Sequence, residues 1–193
     1  MRYLLTTLTA VLVVSLFAMP SAYAGVWELS ASYGTHTSLI DQNNYTTDEE
    51  ITGAMAWYFL SRSALEASYT YGYGEQSLEA VGDPGATIYY QIAEMIGLDL
   101  ELSLTPTTSL IQPFIRAGGL HLFKKMYEEF YDGSIYQYGS TVNTIVPSYG
   151  VGVNIHLTQT FAVHASYDRW ESGVDGQSGI WDDAIRAGVS WFF

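Results

Sequence analysis

His164, Ser166 and Asp168 are the three side-chain types of an acyl-transfer triad, spaced two residues apart. In such a triad the imidazole takes the serine proton while the carboxylate orients the ring, through contacts of about 2.6–3.2 Å. A spacing of two is the repeat of an extended chain, which puts all three on one face with successive side chains roughly 6.5–7 Å apart. One strand cannot close the relay, and neighbouring strands would have to supply partners. The expectation is that these residues are not catalytic and that the protein is not an enzyme.

Metal binding is the next candidate. His156 and His164 flank a short polar turn, so they can face each other on adjacent strands, where a nearby carboxylate would complete a ligand set. Hydrogen-bonded imidazoles are the simpler reading, and His36 and His121 lie elsewhere. Asp41-Gln42-Asn43 opens like a calcium loop, but no Gly or terminal Glu follows at the required spacing. No metal and no cofactor is expected.

A larger constellation is made of charges. Glu28, Glu66, Asp99, Glu101 and Asp168, with Arg116 and Arg186, lie in segments where alternate residues are apolar, and each falls on the polar side. Five acids and two bases held out of water are costly unless paired. Either each arginine bridges two carboxylates in a hydrogen-bonded plug, or the charges line a narrow, cation-preferring water path gated by ion pairs. The plug is favoured wherever the enclosed space is narrow.

The elements that must position these residues are two-faced strands. In residues 185–193, Ile185, Ala187, Val189, Trp191 and Phe193 share one apolar face, with Arg186, Gly188, Ser190 and Phe192 between them. The same period of two recurs seven times upstream. It starts at Trp27, at residues 49–59, at Leu65, at residues 88–104, at residues 110–123, at Ile145 and at Phe161. After Gly118-Gly119 the apolar positions shift to Leu120 and Leu122, which predicts a bulge. Connections alternate long and short, with polar stretches at 35–48, 74–86, 124–144 and 171–179. The expected fold is all-β: an eight-stranded antiparallel up-and-down transmembrane β-barrel with short periplasmic turns and long extracellular loops. A water-soluble barrel of the lipocalin type also alternates. Its outer faces would carry charge, however, and here they are apolar. Rings mark both strand ends, Trp27, Phe59, Phe161, Trp191 and Phe193 at one and Tyr71, Tyr73, Tyr90, Tyr167 and Trp181 at the other, as in aromatic girdles.

Residues 1–24 read as a cleaved signal peptide: Arg2, an apolar stretch over 4–18, and Ala22-Tyr23-Ala24 as the cleavage site. The barrel domain is then 25–193. The chain has no cysteine, so disulfides play no part, and it has 16 tyrosines. Its net charge is −13, which argues against nucleic-acid binding. Much of the acid falls in the loops, with Asp41, Asp48, Glu49 and Glu50 in the first and Glu128, Glu129 and Asp132 in the third. It either keeps them solvated and extended, or contacts lipopolysaccharide through divalent cations, or meets basic partners. Tyr127, Tyr131, Tyr136 and Tyr138 give the third loop the composition of a contact surface.

The chain resembles the small eight-stranded outer-membrane barrels related to OmpA, OmpX and the opacity proteins. The resemblance rests on Val189, Trp191 and Phe193, on Gln112-Pro113-Phe114-Ile115-Arg116-Ala117-Gly118, and on Tyr149-Gly150-Val151-Gly152-Val153. It implies a Gram-negative outer-membrane location and a last strand read by the outer-membrane insertion machinery. Lipid A deacylases of this kind carry His and Ser on a barrel, but their His-Ser-Asn type of motif is not matched by Ala165-Ser166-Tyr167-Asp168-Arg169. No peptidoglycan-binding domain is expected after the barrel. The expected function is structural and surface-interacting, with a host or cell-surface partner met through the loops and lipids around the wall. A narrow porin-like conduit is the alternative, and a lipid hydrolase the third reading.

Overall fold

A computed structural model describes residues 25–39, 45–77, 88–106, 109–130, 133–171 and 181–193. Residues 1–24, and with them the expected signal peptide, lie outside the described residues. Eight strands form one closed antiparallel barrel in chain order. They are β1 (Val26–Leu39), β2 (Tyr45–Leu60), β3 (Ser63–Ser77), β4 (Ile88–Ser103), β5 (Ile111–Glu129), β6 (Ile135–His156), β7 (Phe161–Glu171) and β8 (Trp181–Phe192). β8 returns to β1, and Trp27 and Phe193 exchange both backbone hydrogen bonds at 2.9 Å. Every strand is thereby paired on both sides, which removes the exposed edges of an open sheet.

The strands outrun the apolar alternation at the long-loop end. β1 continues to Leu39 and β2 starts at Tyr45, through residues whose composition reads as loop. β5 and β6 pair out to Glu129 opposite Ile135, so most of the expected 124–144 connection is hairpin. The ladder needs only backbone N–H and C=O groups, whereas the apolar face ends where its apolar solvent ends.

The bulge expected after Gly118-Gly119 is absent. Pairing runs unbroken from Asp99 opposite Gly118 to Gly97 opposite Leu120, and from Gly118 opposite Ser148 to Leu120 opposite Val146. Leu120 and Leu122 therefore face the lumen, where they are buried. Register shifts occur instead between Lys124 and Met126 against β6, and between Tyr58 and Leu60 against β3. The apolar positions changed sides because this stretch of lumen is itself apolar.

Outside, the barrel carries an exposed apolar belt that includes Ile51, Ile96, Leu98, Leu100, Ile145 (78 % exposed) and Ile185 (68 %). So large a contiguous apolar surface is unfavourable in water and suits a bilayer. Rings border it. Trp27 stacks on Trp57 at 6.2 Å and Phe161 meets Trp191 at 6.2 Å near the short-turn end. Tyr90 stacks on Tyr127 at 5.1 Å and Tyr149 meets Trp181 at 5.5 Å towards the other. Ile185, Ala187, Val189, Trp191 and Phe193 lie along this outer surface, all exposed.

Candidate functional site

Alternation sends every second side chain into the lumen, and register decides which ones meet. Glu28, Glu66, Asp99, Glu101, Asp168 and Arg186 are buried there, and Arg116 nearly so. The seven do not form one cluster: of the five acids only Glu66 and Asp168 bond directly to the arginines, and two groups result.

The first group is built on the arginines. The Arg116 guanidinium donates through Nη1 to Glu66 Oε1 at 2.6 Å and through Nε to Asp168 Oδ1 at 2.7 Å. Arg186 donates through Nη1 to the other oxygen of Asp168 at 3.1 Å, and through Nε to Glu50 Oε1 at 2.5 Å. Ser166 adds a hydroxyl donor to Asp168 at 2.8 Å. The chain Glu66–Arg116–Asp168–Arg186–Glu50 draws on β3, β5, β7, β8 and β2, so it spans the cross-section of the lumen. Asp99 stands beside it and accepts from the Ser148 hydroxyl at 2.7 Å.

Two glycines make these contacts possible. Gly150 on β6 is paired with Arg116 on one side and Asp168 on the other. A Cβ there would collide with the Asp168 carboxylate and press the Arg116 side chain. Gly34 on β1 stands in the same relation to Glu50 and Arg186. In both places a charge pair two strands apart closes over a residue with no side chain.

The second group lies nearer the short-turn end. The Tyr58 hydroxyl is within 2.7 Å of Glu28 Oε2 and 3.1 Å of Glu101 Oε1. Below it the lumen is closed by Ala56, Tyr58, Ala64, Ala162 and Phe192, all buried. The His156 ring packs on Phe192 at 4.9 Å, and its Nε2 shares a hydrogen bond with Gln112 Oε1 at 2.9 Å. Gln112, fully buried, donates in turn to Ser103 at 2.7 Å.

Towards the loops, Met95, Leu120, Leu122, Val142, Val146, Trp170 and Ala184 form an apolar collar. The Arg186 guanidinium lies 5.6 Å over the Trp170 ring, which joins the collar to the ion pairs. Among the described residues, small cavities follow one another along the axis. The outermost, about 50 Å³, is lined by Asp48, Gln91, Lys124, Trp170 and Asp182 among others. The middle one is about 30 Å³, against Asp99, Arg116 and Arg186. The innermost is about 20 Å³, between Glu28, Glu66, Glu101 and His164. At roughly 10–15 Å³ per water, the outermost has room for about four water molecules and the innermost for about one. Met95 and Trp170 divide the first two, and Thr52 and Arg116 the second two.

Alternation alone singles out neither the Glu50 carboxylate nor the Tyr58 hydroxyl. Glu50 follows Asp48 and Glu49 in a run that reads as loop, although its position on β2 shares the side of Thr52, Ala54 and Ala56. Tyr58 lies between the outward rings Trp57 and Phe59, and its parity turns it into the lumen. The His-Ser-Asp set does not assemble. His164 Nδ1 hydrogen-bonds Ser190 at 3.0 Å while Ser166 is turned to Asp168, so the imidazole and the hydroxyl of Ser166 serve different partners. Among the described residues no group of three or more His, Asp and Glu side chains is placed to hold a metal ion. His156 pairs with Gln112 and His164 with Ser190. Their strands set His164 opposite Asn154 and His156 opposite Ala162, so the two histidines are not register partners.

No family model matches the sequence, and no curated protein matches it. Solved structures do. The N-terminal β-barrel domain of Pseudomonas aeruginosa OprF aligns with a TM-score of 0.57 at 16% identity, over 88% of this chain and 98% of that one. The outer membrane protein OprG of the same organism gives 0.57 at 12% identity, over 88% and 96%. Ail, the attachment invasion locus protein of Yersinia pestis, solved with the heparin analogue sucrose octasulfate, gives 0.56 at 13% identity, over 88% and 99%. The chain has the fold of the small eight-stranded outer-membrane barrels.

Proposed function

We propose that this is a Gram-negative outer-membrane barrel whose lumen is closed and whose contacts are made at the long-loop end. The observation that carries this reading is the arginine-bridged chain across the lumen, held between an apolar collar and the Phe192–Tyr58 floor. A solute would have to displace buried ion pairs and a packed indole to pass. What remains outward is the wall, which suits lipid, and the loops. On this reading residues 1–24 are removed on export, and the outer face of β8 from Ile185 to Phe193 presents itself to the insertion machinery.

Ail supplies a contrast. It was solved with a polyanion, whereas this chain has a net charge of −13 and concentrates acid near its loops. Like charge disfavours the same ligand here. The partner that fits is basic, or anionic and reached through divalent cations. The test is a titration of the reconstituted barrel with an oligolysine peptide and, separately, with heparin. The peptide is expected to bind with an affinity that falls as salt rises, and to bind more weakly when Glu128, Glu129 and Glu171 are changed to glutamine. Preference for heparin in the absence of divalent cations, or no effect of the substitutions, would overturn the reading.

The axial row of water-sized cavities favours a second reading, a narrow conduit, in which rearrangement of Arg116 and Trp170 joins the cavities. The six buried carboxylates Glu28, Glu50, Glu66, Asp99, Glu101 and Asp168 would make such a path cation-preferring.

A further inference from the structure

Arg169 is unlike the lumen arginines. Its neighbours on β7, Asp168 and Trp170, are buried inside, so alternation turns Arg169 to the outer wall. Register sets it between Tyr149 on β6 and Asp183 on β8. The guanidinium lies 5.8 Å over the Trp181 ring, and Trp181 itself packs against Tyr149. The carboxylate directly opposite does not pair with it: the Tyr167 hydroxyl donates to Asp183 Oδ2 at 2.7 Å. Among the described residues Arg169 enters no ion pair, and its Nε is buried with no hydrogen-bond partner.

We propose that Arg169, seated on Trp181 beside Tyr149, binds the phosphate of a lipid headgroup at the long-loop boundary of the wall. A guanidinium keeps its charge in any surroundings and presents a planar fork of donors that matches two phosphate oxygens. Stacking on an indole holds that plane in place. The aromatic band at this end is where headgroups meet the wall. Leaving a charge unpaired against hydrocarbon is costly, and an anionic headgroup removes that cost. The Tyr167 hydroxyl engages Asp183, the carboxylate opposite Arg169 in register.

The inference rests on the wall facing lipid, so folding and binding are read separately. The barrel is prepared in a sugar-based detergent that contains no phosphate, and its folded state is checked by heat-modifiable gel mobility in every sample. Phosphatidic acid, lipid A, diacylglycerol and inorganic phosphate are then titrated, following the Arg169 Nε–H resonance and Trp fluorescence. Phosphatidic acid and lipid A are expected to shift the resonance in a saturable way, with diacylglycerol and equimolar inorganic phosphate without effect. Arg169→Gln is expected to lose the response, and Arg169→Lys to weaken it about ten-fold through loss of the fork. Arg62→Gln, at the short-turn end, serves as the control and should bind like the native barrel. Binding that survives in Arg169→Gln, or an equal shift with diacylglycerol, would overturn the site. An equal response to inorganic phosphate would overturn a lipid as its source. A barrel that fails the gel test challenges the membrane reading instead.

Discussion

Glu50 and Arg186 are joined at 2.5 Å across an intervening strand, over Gly34. Their own strands, β2 and β8, are not neighbours in the barrel. A Cβ at Gly34 would stand 2.6 Å from Glu50 Oε1 and 2.9 Å from Arg186 Cγ. Gly34→Ala is therefore expected to force the pair apart and to cost about 1–3 kcal/mol, the usual range for overpacking. Gly53→Ala is the matched control, because a Cβ there meets nothing within 4 Å. Denaturant unfolding in micelles compares the two. Equal stabilities would show that the pair yields without cost.

Removing an arginine leaves buried carboxylates with no counter-charge. Arg186→Ala strips Glu50 and Asp168 of a partner at once, and breaking a buried pair from one side costs about 3–5 kcal/mol. Replacing both members of the Glu50–Arg186 pair, with Arg186→Met and Glu50→Gln together, should recover part of that loss. The same unfolding measurement decides it. A single variant as stable as the native barrel would contradict the structural role of the bridge.

The Tyr58 hydroxyl lies between Glu28 and Glu101. Tyr58→Phe keeps the ring that packs against Phe192 at 6.2 Å and removes the donor. Leaving a buried acceptor unsatisfied costs about 1–3 kcal/mol, so the unfolding midpoint should drop without loss of the barrel signature on a gel. An unchanged midpoint would mean that water in the adjoining cavity replaces the hydroxyl.

The outer wall predicts a depth profile. Leu98 sits mid-way along the exposed face of β4, and Leu104 just past its short-turn end. An arginine at the first is expected to cost about 2–4 kcal/mol and at the second about 0–1 kcal/mol, when folding is measured into lipid vesicles. Equal costs would argue against an apolar solvent around the wall.

Much of the fold was legible because a two-faced strand writes its period into the sequence. Trp191, Val189 and Ile185 outside, with Arg186 inside, could be assigned from residue types alone. Strand ends were not legible where polar chain continues the ladder, as in residues 35–39 of β1 and in the β5–β6 hairpin. Leu120 and Leu122 misled for a physical reason: the collar they join is an apolar part of the lumen, so apolar no longer meant outward. Glu50 was obscured by its acidic neighbours, and the meeting of Glu50 with Arg186 could not be read from spacing, since register around a closed barrel decides it. The inward glycines Gly34 and Gly150 were visible only as small residues. Their partners became visible once the strands were paired.

The proposed plug can be tested most directly by planar-bilayer recording on the purified barrel. The closed arrangement of Glu66, Arg116, Asp168, Arg186 and Glu50 between the Trp170 collar and the Phe192 floor predicts no steady single-channel steps from the native protein. Steady, cation-selective steps whose size changes on substituting Arg116 or Arg186 would contradict it and establish the conduit.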